Sequence, residues 1–140
     1  MILSMKQVFS LVIFIAFWEF SSGVADGGDV IIVRVSNNLN QGLSFTIHCK
    51  TNNQDLGTQV VNPGYFERLE LHHDNAAGTK FLFCKITWRD ASIDYVIYQD
   101  VRDFRRRCTT DCNWEVNNEN LLGTNQYTLK PDIIVPWPKN

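Results

Sequence analysis

Three histidines are the residues of this 140-residue chain that could carry acid–base chemistry. His48 lies on the outward row of an alternating segment, whereas His72 and His73 are adjacent and precede Asp74. Acid–base catalysis needs an acid and a base that converge on one reacting group. His48 has no partner at a spacing that predicts convergence, and neighbouring loop side chains seldom converge on one metal ion. The sequence therefore predicts no catalytic residue, no metal site and no cofactor.

One alternative keeps His48 as a catalytic residue. Residues 45–48, Phe-Thr-Ile-His, resemble the first active-site motif of the secreted acid ribonucleases, in which Gly-Leu-Trp-Pro follows. Here Cys49 and Lys50 follow, and the second ribonuclease motif, with its own histidines, glutamate and lysine, has no counterpart. Serine-hydrolase, zinc-protease and phosphate-loop motifs do not occur either. A surface histidine on a strand is the favoured interpretation of His48, and a secreted nuclease is the alternative.

Residues 1–25 are predicted to be a secretory signal peptide rather than part of the fold. Lys6 precedes an apolar run at residues 8–18, and small residues follow up to Ala25. The run is too short to span a bilayer, and the order is that of a cleaved leader. Cleavage after Ala25 predicts a secreted, extracellular protein. Its remaining length, residues 26–140, suits a single domain with one core.

Four cysteines lie in the predicted mature chain. In an oxidising compartment, an even number of cysteines in a short chain indicates two disulfides rather than a zinc site. Four cysteines allow three connectivities, so the sequence does not fix the pairing. Cys49, Cys84 and Cys112 fall on inward rows of alternating segments, and Cys108 lies in an arginine-rich loop. We favour a Cys49–Cys112 bridge with a Cys84–Cys108 bridge nested inside it.

Arginines form the third chemically notable group. Residues 100–111 contain four arginines and three aspartates, for a local net charge of about +1. Clustered guanidinium groups can bind an acidic partner or lipid headgroups, but the interleaved aspartates favour a solvated loop that balances its own charge. The whole chain has a formal net charge of -2, so no global field points to nucleic acid or an anionic membrane.

Short alternating segments separated by turn residues make up the rest of the chain. In the clearest, residues 43–50, every second residue from Leu43 to Cys49 is apolar, which indicates a half-buried strand. About seven to eight such segments, with no 3.6-residue period, predict an all-β fold: a small, disulfide-stapled antiparallel β-sandwich. The charges of residues 65–71 predict an edge strand. The predicted strands are residues 30–37, 43–50, 58–61, 65–71, 79–89, 93–98 and 112–117, with a last short strand around Tyr127.

Turn clusters and prolines predict part of the topology. The turn residues between 30–37 and 43–50 predict one hairpin, and those between 79–89 and 93–98 predict another. Residues 130–140 hold three of the four prolines, so we expect them to form an extended tail and not an interior strand.

From residue 33 to residue 127, the chain resembles the plant self-incompatibility S-protein homologues. The resemblance rests on an ordered set of motifs rather than on a single signature. The set is VRVSNNL at residues 33–39, LSFTIHCK at 43–50, DLG at 55–57, FLFCKITW at 81–88, and Cys108 and Cys112 followed by Trp114. The arginine-rich segment before Cys108 and the proline-rich tail after Tyr127 depart from the family's pattern.

The resemblance implies a β-sandwich with two disulfides and no enzymatic activity. It implies a secreted signalling ligand that binds a cell-surface membrane receptor through hydrophilic loops, as in the cell–cell recognition that rejects self pollen. By position, the matching loops are residues 51–56, 72–78 and 100–110. The candidate receptor-binding residues are Asn52, Asn53, Gln54, Asp55, His72, His73, Asp74, Arg102, Arg105, Arg106 and Arg107. We expect a monomer without a nucleic-acid or small-molecule ligand, and a defence or toxin-like secreted protein is a further alternative.

Overall fold

A computed structural model describes residues 29–73 and 80–139. Nine strands and one short helix occur in these residues. The predicted signal peptide and residues 74–79 lie outside them. The strands are β1 (Asp29–Asn37), β2 (Phe45–Thr51), β3 (Asp55–Val61), β4 (Phe66–His73), β5 (Phe81–Trp88), β6 (Ala91–Gln99), β7 (Asp111–Val116), β8 (Asn120–Thr124) and β9 (Pro131–Pro136), and the helix is α1 (Asp100–Asp103).

The strands form two sheets that share one hydrophobic core, so the predicted β-sandwich is confirmed. The first sheet has the order β4-β1-β7-β8-β9, and the second has the order β3-β2-β5-β6. All pairs are antiparallel except β1 with β7, which run parallel. The predicted inward rows are buried because alternate side chains of a strand face the same side. These rows include Phe45, Ile47 and Cys49 on β2, Leu82, Cys84, Ile86 and Trp88 on β5, and Cys112, Trp114 and Val116 on β7.

The hairpin predicted from residues 30–37 and 43–50 is wrong, because β1 and β2 belong to different sheets. The turn cluster between them crosses the end of the sandwich instead of reversing the chain within one sheet. Leu39 is buried in this crossover. The Asn37 side-chain amide donates to the Val61 carbonyl across 2.9 Å, which ties the end of β1 to the second sheet. A local turn signal cannot distinguish these two connections, because both need the same polar residues.

The hairpin of β5 and β6 and the edge position of β4 are confirmed. The proline-containing tail forms β9, which pairs only with β8 and therefore lies at the edge of the first sheet. The strand predicted around Tyr127 is wrong, because β8 ends at Thr124. Beyond the tail's strand, Trp137 packs edge-to-face on Trp88 with ring centroids 5.9 Å apart.

The predicted disulfide pairing is wrong as well. The structure joins Cys49 to Cys84 and Cys108 to Cys112, not Cys49 to Cys112 and Cys84 to Cys108. Cys49 and Cys84 lie directly opposite each other on β2 and β5, with Cα atoms 4.0 Å apart. Cys112 lies on β7 of the other sheet and is bonded to Cys108, four residues before it in sequence. Register within one sheet therefore decides the pairing.

The two bridges close loops of very different length, with sequence separations of 35 and 4 residues. Loop-closure entropy predicts that replacing Cys49 and Cys84 together by Ala costs about 4 kcal/mol of unfolding free energy. Replacing Cys108 and Cys112 together should cost about 2 kcal/mol. Urea unfolding of both double variants measures the difference. All four cysteines are buried, so both double variants remove two buried sulfur atoms and leave similar cavities. An equal loss of unfolding free energy in the two variants, or a larger loss for Cys108 and Cys112, would contradict the expectation.

Candidate functional site

The predicted loops come together at one end of the sandwich. We call this the loop end and define it as residues 51–55, 100–110 and 125–130. In the second sheet, β2 and β6 end at the loop end, and β3 and β5 begin there. In the first sheet, β4 and β8 end at the loop end, and β1, β7 and β9 begin there. The loop that follows His72 starts at the same end, and its residues 74–78 lie outside the described part of the chain.

Backbone and amide hydrogen bonds join the segments of the loop end. Asn52 Oδ1 accepts from the Phe81 backbone N–H across 2.9 Å, which fixes the β2–β3 turn to the start of β5. The Gln126 backbone N–H donates to the Arg107 carbonyl across 2.7 Å. The loop end is therefore one connected surface rather than three independent loops.

Asp103 is the residue around which the arginine loop folds, and the sequence did not single it out. It lies on α1 and is 0% exposed. Arg102 donates to it from Nε across 2.8 Å and from Nη2 across 2.7 Å, and Arg107 Nη1 donates across 2.8 Å. The Gln99 backbone N–H donates a fourth bond across 2.8 Å. These four donors compensate the cost of taking a carboxylate out of water.

The same two arginines extend the network into neighbouring strands. Arg107 Nε donates to Asp132 Oδ2 on β9 across 2.8 Å, and Arg107 Nη2 donates to the other oxygen of that carboxylate. Arg102 donates to the Val96 and Ile97 carbonyls of β6, each across 3.0 Å. We call Arg102, Asp103, Arg107 and Asp132 the Asp103 cluster. It links α1 to both sheets.

Trp114 on β7 contacts the two arginines of the Asp103 cluster through its ring. The guanidinium carbons of Arg102 and Arg107 lie 5.9 Å and 5.7 Å from its ring centroid, within cation–π range. Gly123 on β8 leaves room for this arrangement. A side-chain carbon at Gly123 would come within 2.9 Å of the Trp114 ring and 3.1 Å of Arg107 Nη2. Gly123 is therefore required by close packing.

Two members of the Asp103 cluster, Arg107 and Asp132, have pKa values shifted in the direction that favours their charged forms. Burial alone would lower the pKa of Arg107, but hydrogen bonds to Asp132 and Asp103 raise it above its ordinary value. Burial would raise the pKa of Asp132, yet bonds from Arg107 and Asn125 hold that pKa below its usual value. The cluster is a compensated ion network whose charges cancel internally.

The four arginines of the predicted receptor-binding set therefore have two different environments. Arg107 is only 9% exposed and Arg102 is half-buried, and both are bound within the Asp103 cluster. Their charges are not available to a partner as free groups. Arg105 and Arg106 are exposed, and their role in partner binding stays a prediction. Alternating aspartates in the sequence indicated charge balance but not which arginines they would bind.

The β2–β3 turn presents the other exposed candidates. Asn53 and Gln54 are exposed at its tip. Asp55 Oδ1 accepts from the Gly57 backbone N–H across 2.9 Å and lies 2.6 Å from His48 Nε2. The Gly57 bond and, second, the His48 bond lower the pKa of Asp55. His48 is thus paired across two strands on the outer face of the second sheet.

His48 and His72 face away from each other. His72 lies on β4 of the first sheet, next in sequence to the buried Leu71, so its side chain is on the outer face, 3.6 Å from Glu70. Two histidines on opposite outer faces cannot act on one phosphate. The side chain of His73 and the whole of Asp74 lie outside the described part.

A shallow concavity of about 310 Å³ lies at the end opposite the loop end. Glu67 is among its lining residues, and burial raises the pKa of this carboxyl. In the described residues, no group of three or more His, Cys, Asp or Glu side chains could hold a metal ion. No helix among these residues is long and apolar enough to cross a membrane.

Comparison with known proteins identifies the family. The family model described as plant self-incompatibility protein S1 matches residues 32–137, which include most of both sheets and the loop end. The chain belongs to this family. Self-incompatibility protein S1 of Papaver rhoeas is 29% identical over 121 residues, covering 86% of this chain and 85% of that protein. S-protein homolog 3 of Arabidopsis thaliana is 31% identical over 111 residues, covering 78% and 73%. S-protein homolog 5 of the same plant is 33% identical over 111 residues, covering 76% and 83%.

The Asp103 cluster predicts a large effect of a single isosteric change. Asp103→Asn removes the charge that compensates two arginines, so it should cost about 3–5 kcal/mol of unfolding free energy, measured by urea denaturation. Asp111→Asn is the matched control, because Asp111 binds Arg34 across 2.9 Å where both side chains are partly exposed. That variant should lose at most about 1 kcal/mol. Similar losses in both variants would refute the central role of Asp103.

The His48–Asp55 pair predicts a pKa change that NMR can measure. His48→Ala should raise the Asp55 pKa only part of the way to its ordinary value, because the Gly57 bond, the larger cause, remains. The Asp55 pKa is depressed in the fold, so the Gly57 bond and the His48 contact together stabilise the protein above the ordinary aspartate pKa. This contribution is lost as pH falls through the depressed value. A carboxyl-carbon titration that finds no shift in His48→Ala would contradict the pairing.

Proposed function

We propose that the protein is a secreted, non-enzymatic signalling ligand that binds a cell-surface membrane receptor protein through its loop end. The observation that carries the proposal is that the β2–β3 turn, the arginine loop and the turn of residues 125–130 meet at one end of the sandwich, where hydrogen bonds fix them. Binding residues commonly sit on loops that a rigid scaffold positions. The opposite end is closed by the Trp88–Trp137 contact and by the crossover at Leu39.

Membership of the self-incompatibility S1 family supports recognition between cells as the biological setting. The relative from Papaver rhoeas carries self-incompatibility in its name. Rejection of self pollen is accordingly one form that the signal of this chain would take. The leader-like residues 1–25 and the pairing of all four cysteines in disulfides support secretion into an oxidising compartment.

Absence of catalysis is supported by the placement of the titratable groups. The guanidinium groups of Arg102 and Arg107 bind internal carboxylates. The two histidine side chains that are described lie on opposite outer faces of the sandwich. A secreted nuclease is the second candidate, because the 2.6 Å contact between His48 and Asp55 is the kind that orients a general base. The other histidine whose side chain is described, His72, lies on the outer face of the other sheet and cannot serve as the partner acid.

Substitution at the β2–β3 turn tests the proposal. Asn53→Ala combined with Gln54→Ala removes two exposed polar groups of the loop end without touching the Asp103 cluster. Saturation binding of the fluorescently labelled mature chain to plant protoplasts should weaken at least about tenfold, as expected for loss of interface hydrogen bonds. The matched control is Asn40→Ala with Gln41→Ala, an exposed Asn-Gln pair at the opposite end.

Two results would overturn the proposed function. One is equal loss of protoplast binding in the two double variants, since recognition would then not be confined to the loop end. The other is cleavage of RNA by the purified protein that disappears in His48→Ala, which would establish the nuclease instead.

A further inference from the structure

We propose that the turn of residues 125–130, together with Arg105 and Arg106, is the anchor of the partner interface. Leu129 would fill an apolar pocket of the partner protein, and carboxylates at the rim of that pocket would bind the surrounding cations. The inference rests on the proposed function and adds to it an anchor residue and the chemistry of the partner's site. We call Arg105, Arg106, Leu129 and Lys130 the anchor patch.

Leu129 is unusual in both exposure and backbone conformation. Its exposed fraction of 78% is the highest of the large hydrophobic residues in the described chain. Its φ of 61° lies in the left-handed region, where the Cβ atom of an L-residue clashes with the backbone. Glycine or asparagine would adopt this conformation at lower cost. A large apolar side chain is therefore kept in water on a strained backbone, and no intramolecular packing accounts for it.

The turn that carries Leu129 is held rigidly by its own hydrogen bonds. Asn125 Oδ1 accepts from the backbone N–H groups of Tyr127 and Thr128, across 2.8 Å and 3.2 Å. The Leu129 N–H donates to the Asn125 carbonyl across 2.8 Å, and the Asn125 N–H donates to the Lys130 carbonyl across 2.9 Å. Such preorganisation reduces the entropy that is lost when a partner binds.

The turn is also attached to the arginine loop. Gln126 Oε1 accepts from the backbone N–H groups of Thr109 and Thr110, across 2.7 Å and 3.1 Å. The Tyr127 hydroxyl and the Thr109 hydroxyl form a further hydrogen bond. Because the Gln126 N–H also binds the Arg107 carbonyl, Leu129 is carried on the same rigid unit as Arg105 and Arg106.

The rigid unit that carries Leu129 also carries positive charge with no ion-pair partner among the described residues. Arg105, Arg106 and Lys130 are exposed, and no carboxylate of the described residues forms an ion pair with them. The neighbouring acids Asp103 and Asp132 are already bound by the arginines of the Asp103 cluster. The anchor patch is therefore locally basic on a chain whose formal net charge is -2, which favours an acidic counterpart.

Arg105 is held in position for such a contact. Its φ of 64° is also left-handed, and its guanidinium carbon lies 5.1 Å from the centroid of the Phe104 ring. Two of the three non-glycine residues with positive φ in the described chain thus belong to the anchor patch. Backbone strain of this kind concentrates at functional sites.

A protein pocket fits this surface better than a lipid bilayer does. Adsorption to a membrane requires a broad apolar face, whereas the turn of residues 125–130 exposes two large apolar side chains, Leu129 and Tyr127, next to Lys130. A small apolar centre with a polar and charged rim is the usual form of a protein interface anchor. An anionic vesicle is therefore the alternative that the experiment must exclude.

Binding of the labelled full mature chain to plant protoplasts tests the anchor patch. Leu129→Gly should raise the urea midpoint, because the strain is relieved, and should weaken saturable binding at least tenfold. Arg105→Glu with Arg106→Glu should weaken binding at least tenfold and reduce its dependence on salt. Val60→Ala is the control for Leu129→Gly, because it removes an exposed apolar side chain at the opposite end. Arg68→Glu with Lys85→Glu is the control for the double arginine variant, because it makes the same charge change on the strands. Both controls should bind within twofold of the wild type.

The outcomes separate the anchor patch from the proposed function. Wild-type protein without saturable binding to protoplasts would overturn both. Saturable binding that Leu129→Gly leaves unchanged, or a lower urea midpoint in that variant, would overturn the anchor patch alone. Protease treatment of the protoplasts should abolish binding. Binding that survives this treatment and is reproduced by phosphatidylserine vesicles would assign the patch to a membrane and overturn a protein partner.

Discussion

The buried carboxylate of Asp103 is the constraint on which the loop end depends. A fully buried carboxylate is tolerated only when donors replace the water it has lost, and here the donors come from Arg102, Arg107 and the Gln99 backbone. Each arginine must reach Asp103 from a defined position, so α1, the end of β6 and the start of β9 are fixed at the same time. The loop end is rigid because displacing any one of these segments would leave a buried charge without its partner.

This constraint divides one run of basic residues into two functional groups. Arg102 and Arg107 bind carboxylates and flank the Trp114 ring, so they belong to the interior of the domain. Arg105 and Arg106 lie between them in sequence, yet point to solvent. Because Asp103 and Asp132 bind Arg102 and Arg107, the other two arginines form no ion pair with any carboxylate of the described residues. The exposed charge of the loop end is therefore a consequence of how the interior is paired.

The remainder of the sandwich supports the loop end through its disulfides and its core packing. Cys49–Cys84 joins the two central strands of the second sheet, and Cys108–Cys112 restrains the chain where the arginine loop enters β7. At the opposite end, Trp137 and the crossover after β1 close the core. Membership of the self-incompatibility S1 family fits a scaffold of this kind, in which the buried rows of two sheets and two disulfides hold exposed loops.

Local patterns in the sequence determined most of the strands, their inward rows and the exclusion of the proline-rich tail from the interior of a sheet. Alternation in residues 43–50 and 81–88 depends only on neighbours two positions apart, and a proline lacks its N–H wherever it lies. The family and the positions of the candidate loops could also be predicted from ordered motifs. Only the tertiary structure decided the partner of Cys49, the sheet to which β1 belongs, and which arginines are accessible. Each of these depends on residues far apart in sequence that become neighbours only when the two sheets pack.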